Sequence, residues 1–111
     1  IIDQLNLKVL TEEQDFSSVK VESGYCSDLL SCVMTRAEAN SAWVTLMAHN
    51  NIIAVAGLLD LAAIIITEGA QPDANTINTA NEKGIILLST SSQNFTVVGQ
   101  LWELGLRANQ A

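Results

Sequence analysis

A chain of 111 residues is one domain's worth, and at 49% hydrophobic residues it can build a core without a disulfide or a metal. The formal net charge of −7 comes from 12 acids and 5 bases, and the bases, Lys8, Lys20, Arg36, Lys83 and Arg107, are scattered along the chain. Nucleic acid needs a clustered basic face, so neither it nor an acidic membrane surface is an expected partner.

Leu5, Leu7 and Val9 alternate with Asn6 and Lys8, which predicts a short half-exposed strand. The acidic stretch from Thr11 to Asp15 reads as a connection. Val19 and Val21 alternate with Lys20 and Glu22 as a second strand, which Gly24 is expected to end. Ser27 is the candidate cap of a helix whose inner face is read as Leu29, Leu30, Val33 and Met34. Ala42 to Met47 is apolar enough to be a strand buried on both faces. Asn50 or Asn51 then caps a helix from Ile52 to Leu59. That helix is nearly apolar all round and is expected to be deeply buried, with Ala54, Ala56 and Gly57 allowing close packing.

Ala62 to Ile66 is a further apolar strand. Pro72 and Asp73 open a polar helix with Asp73 as its cap, a thin stripe of Ala74, Ile77 and Ala80, and Gly84 as its stop. Ile85 to Leu88 is the last strand, and Ser91 or Ser92 caps a final helix with Phe95, Val98, Leu101 and Trp102 inward. The longest apolar stretch, Ile52 to Thr67, is broken by Gly57 and Asp60 and is too short for a membrane span. Ile1 to Gln4 carries no positively charged leader, so the cytoplasm is the expected location. Buried strands alternating with helices predict one α/β domain over residues 1–111, three-layered α/β/α with a mainly parallel central sheet.

In such a sheet the parallel strands end at one edge, where ligands bind. The loops expected there carry Ser23, Ser27, Asp28, His49, Asn50, Asn51, Thr67, Glu68, Thr90 and Ser91. Each leads into a helix start, where free amides favour an anion. Gly24 and Gly69 would let a ligand approach the backbone closely. The candidate ligand-binding set is therefore Gly24, Ser27, Asp28, His49, Asn50, Asn51, Thr67, Glu68 and Gly69. Caps and turns need the same residue types, so the pattern alone does not separate a site from ordinary helix starts.

No catalytic constellation is visible. His49 is the only histidine, and no GxGxxG, GxxxxGK[ST] or GxSxG signature occurs. Cys26 and Cys32 form neither a CxxC motif nor a zinc set and read as reduced thiols; no metal or cofactor is expected.

Four segments together resemble the DRTGG domain family: Gly24-Tyr25-Cys26-Ser27-Asp28-Leu29-Leu30-Ser31, Trp43 to Asn51, Ala62 to Thr67, and Asn81 to Thr90. The resemblance spans nearly the whole chain. Such domains stand alone, accompany CBS pairs in inorganic pyrophosphatases, precede phosphotransacetylase domains, and are similar to the N-terminal domain of HPr kinase/phosphorylase. The chain has His49 and Asn50 where the family tends to have Asp-Arg, and Thr67-Glu68-Gly69 where it has Thr-Gly-Gly. The resemblance implies an α/β sandwich, a homodimer and a non-catalytic regulatory or ligand-sensing role. A small anionic ligand or nucleotide is the candidate small partner, and a protein partner the other. Two alternatives stay open: an accessory protein of a redox enzyme such as hydrogenase, in which Cys26 matters, and a small enzyme using His49.

Overall fold

The computed structural model describes residues 5, 7–11 and 21–108. Its elements run β1 (Lys8–Val9), β2 (Ser23–Cys26), α1 (Leu30–Arg36), β3 (Ser41–Thr45), α2 (Asn51–Leu59), β4 (Ala63–Ile66), α3 (Ala74–Lys83), β5 (Leu87–Ser89) and α4 (Asn94–Glu103). The sheet order is β1-β5-β4-β3-β2, with β2 to β5 parallel and β1 antiparallel to β5. This is the expected mainly parallel α/β arrangement. No helix among the described residues is long and apolar enough to cross a membrane.

Because β2, β3, β4 and β5 are neighbours in chain order, each crossover steps the same way. Right-handed crossovers then put α1, α2 and α3 on one face. Alternate strand residues point to opposite faces. Trp43, Ile64, Ile66 and Leu87 meet Val33, Ile52, Ile53, Val55, Ala56 and Ala80 on the first face. Ala42, Val44, Ala63, Ile65 and Leu88 meet Leu5, Leu7, Val97 and Leu101 on the second, which α4 covers. Five consecutive buried residues in β3 and four in β4 reflect this double cover. Each fully buried isoleucine contributes about 1.5–3 kcal/mol relative to exposure. The Ser23 and Ser41 hydroxyls, bonded at 2.7 Å, pin the start of the β2–β3 ladder.

Several expectations are corrected. Only Lys8 and Val9 of the first predicted strand pair with β5, while Leu5 and Leu7 are buried in the second core. Gly24 does not end β2; it lies inside it, paired with Ala42. The expected strand residues Val19 and Lys20, and the acidic connection beyond Thr11, lie outside the described residues. In α1, Val33 is buried but Met34 is exposed, as is Leu29 just before the helix, since the short helix turns one narrow face inward. Helix α2 buries Ile52, Ile53, Val55 and Ala56 but exposes Ala54, Gly57 and Leu58, because only one layer of sheet lies beneath it.

Helix α4 is turned differently from expectation. Val97 and Leu101 face inward, whereas Phe95, Val98 and Trp102 are exposed. By contrast Asp73 caps α3 as expected, accepting from the Thr76 amide at 2.8 Å, and Gly84 closes it at φ 70°.

Trp43 is fully buried at the centre of the first core and donates its indole N–H to the Ser27 carbonyl at 2.9 Å. Trp43→Ala is expected to cost about 3–5 kcal/mol, read as a lower urea midpoint with an unchanged slope.

Candidate functional site

The carboxyl ends of β2 to β5 bring four loops to one edge. Helix α3 leaves β4 toward the first face and α4 leaves β5 toward the second. Divergence of that kind marks the place where open α/β sheets have a crevice. Here the crevice is spanned by the chain itself. The Glu68 amide donates to the Ser92 carbonyl at 2.8 Å and the Gly69 amide to the Thr90 carbonyl at 3.1 Å. Both bonds need the left-handed backbone at Glu68 (φ 58°) and Gly69 (φ 72°). Glycine adopts that conformation freely, whereas at Glu68 it is uncommon for an L residue.

A side-chain network crosses the same edge. Asp28 Oδ1 accepts from the Thr45 hydroxyl at 2.7 Å and from the Leu46 amide at 2.8 Å. Asp28 Oδ2 accepts from Asn94 Nδ2 at 3.3 Å. The Thr67 hydroxyl donates to Asn94 Oδ1. Thr45 Oγ1 also accepts from the Met47 amide at 3.1 Å. Thr45 and Thr67 are fully buried at the tips of their strands, so these hydroxyls need partners, and Asp28 and Asn94 supply them. The carboxylate serves here as a tie between loops.

The expected site residues fall into three groups. Asp28 and Thr67 join the network, with Glu68 and Gly69 fastened beside it to the loop after β5. His49, Asn50 and Asn51 form their own turn: His49 Nδ1 accepts from the Asn51 amide at 3.3 Å, and Asn50 Oδ1 is buried with no partner. Ser27 and Gly24 do other work. Ser27 Oγ accepts from the Leu29 amide at 3.1 Å in a local turn. The Gly24 amide donates to the Arg107 carbonyl at 3.0 Å, and a side chain there would meet Leu106 at 3.1 Å. The close approach that Gly24 permits is thus to the chain's own C-terminal segment. Asn94 and Thr45 are the residues that sequence reasoning missed.

The edge is acidic, with Asp28, Glu68 and Asp73 and no lysine or arginine in its loops. The Cys26 thiol, at the end of β2, is pushed up from its usual value by burial and then by the Asp28 carboxylate, which keeps it protonated at neutral pH. No group of three His, Cys, Asp or Glu among the described residues is arranged to hold a metal ion.

Asp28→Ala would leave the buried Thr45 hydroxyl and the Asn94 amide without their acceptor. Chemical denaturation is expected to show a loss of about 1–3 kcal/mol. A second expectation concerns acid. The Asp73 carboxyl is held below its usual value by the Thr76 backbone bond, then by the Thr76 side chain, with a smaller pull from His49. A depressed native value stabilises the fold above the unfolded value, and the benefit is lost as pH falls through the native one. Asp73→Asn should therefore flatten the dependence of the urea midpoint on pH below about pH 4.

The family model of the DRTGG domain matches residues 1–104. No curated protein sequence matches the chain. Among solved structures, the chain is similar to the CBS and DRTGG domains of the regulatory region of Clostridium perfringens pyrophosphatase, crystallised with its activator diadenosine tetraphosphate. The TM-score is 0.68 at 14% identity, covering 90% of this chain and 43% of that one. The likeness is one of fold, and the chain spans less than half the length of that regulatory region. The family match takes in all the strands and helices of the described residues and the whole edge network from Asp28 to Asn94: the chain belongs to the DRTGG domain family.

Proposed function

We propose that the chain is a non-catalytic regulatory module that senses a small anionic ligand, a nucleotide in first place, and works as a homodimer in the cytoplasm. The observation that carries the ligand reading is Asn50. Its Oδ1 is buried without a partner immediately before α2, and a buried acceptor left unpaired calls for a donor. A nucleotide brings the complement: its sugar hydroxyls and base amine are donors, to which the Asn50 carbonyl turns as the ligand binds.

The diadenosine tetraphosphate bound by the regulatory region of the pyrophosphatase supports a nucleotide for this chain as well. The tie from Asp28 through Asn94 to Thr67 supports a sensing role. Loops that belong to helices on opposite faces cannot move independently while those bonds hold. Large exposed apolar side chains on both faces, among them Leu29, Met34, Leu58, Phe95 and Trp102, support self-association. The two free thiols, Cys26 and Cys32, suit a reducing compartment.

Titration with diadenosine tetraphosphate, and separately with inorganic phosphate, is expected to shift amide resonances from His49 to Ile53 and from Thr67 to Gly69. Asn50→Ala should weaken the nucleotide shifts and leave those from phosphate alone. Shifts confined to α3 would put the site elsewhere, and no shift with either probe would favour a role in protein binding alone.

A further inference from the structure

Helix α4 presents an outward stripe. Phe95 is 90% exposed and Trp102 55% exposed, with Val98 between them at helical spacing. Gly99 lies on the same side, with nothing within 4 Å of where a side chain would stand. Beside the stripe is a cavity of about 220 Å³, walled by Tyr25, Val44, Val98, Leu101, Trp102 and Leu106. The Arg107 guanidinium stacks 3.8 Å over the Trp102 ring and donates to the Trp102 carbonyl at 2.7 Å, which holds that wall in place. The helix thus carries a projecting aromatic ring and, one to two turns further on, an apolar hollow.

Charge narrows the occupant. Residues 1–83 carry 11 acids and 4 bases, whereas residues 84–111 carry only Glu103 and Arg107, which cancel. Two copies of a chain with net charge −7 repel one another, and like charges brought together cost binding energy. Helix α4 itself carries a single charged residue, Glu103 at its end, with Arg107 four residues on to offset it, so two copies that meet through this helix oppose no net like charge along it.

Resting on the reading of the chain as a homodimer, we propose that its interface is α4 against α4 of a second copy, each copy's Phe95 entering the other's cavity beside Trp102. A two-fold axis near Val98 and Gly99 runs the helices antiparallel. Phe95 and Trp102 then lie equally far on either side of it, about 5 Å along the helix at 1.5 Å per residue. Ring meets hollow twice, as a two-fold contact requires. Gly99 at the crossing lets the two backbones come close. The surface is separate from the edge that carries Asn50.

Sedimentation velocity across micromolar concentrations tests the interface. The parent chain should dimerise. Phe95→Ala and Gly99→Glu should each raise the dissociation constant about tenfold or more, because buried aromatic anchors dominate interfaces of this kind. Glutamate is a better helix former than glycine, so Gly99→Glu should keep the circular dichroism spectrum and the urea midpoint. Leu58→Glu, on the opposite face, should leave the dimer intact. A dimer unchanged by both α4 variants, or dissolved by Leu58→Glu alone, overturns this interface while leaving the homodimer standing. A parent chain that stays monomeric throughout overturns both.

Discussion

The side chain of Asn94 carries the arrangement that the rest of the domain depends on. It accepts from Thr67 at the tip of β4 and donates to Asp28 in the loop before α1. Asp28 in turn holds the Thr45 hydroxyl and the Leu46 amide after β3. One amide therefore joins segments from both faces of the sheet. At the same edge the backbone bonds from Glu68 to Ser92 and from Gly69 to Thr90 fasten the loop after β4 to the loop that leads into α4. The two hydroxyls are fully buried, which makes the bonds obligatory rather than ornamental.

The same contact sets how α4 is turned. With Asn94 held against Thr67, the residues three and seven positions on, Val97 and Leu101, come to the sheet side. Phe95, Val98 and Trp102 then have to face away. The larger side chains are left outside because a polar anchor at the first residue of the helix fixes its rotation. Burial of Val97 and Leu101 against Ala42, Val44 and Ile65 agrees with that anchor, since the small Ala42 and Ala63 let the helix approach.

The alternation of apolar strands and helices was legible from composition and spacing alone, as were the cap at Asp73 and the stop at Gly84. Local chemistry decides those features. Asn94 was not legible, because an asparagine at a helix start reads as an ordinary cap, and its partners are 27 and 66 residues away. The one available signal was that Asn94, Val97 and Leu101 share a helical face, and it competed with larger side chains at 95, 98 and 102. Gly24 was misread for a related reason. A glycine after an alternating run looks like a strand end, and only the fold brings Leu106 and Arg107 against it. At the edge, Asp28 and Thr67 were picked out by residue type, but their role as ties follows from distances that no spacing rule contains.

The winding order also bears on how the chain is made. Strands β2 to β5 and the helices between them assemble from neighbours in sequence, so the first core can close as those residues leave the ribosome. The second face is closed by both ends of the chain, Leu5 and Leu7 from one and Val97 and Leu101 from the other. Until the last of these emerges, Ala42, Val44, Ala63 and Ile65 lack the cover of Val97 and Leu101 on a nascent polypeptide. Synthesis thus passes through an interval in which the domain is half covered, and α4 is the segment whose arrival ends it.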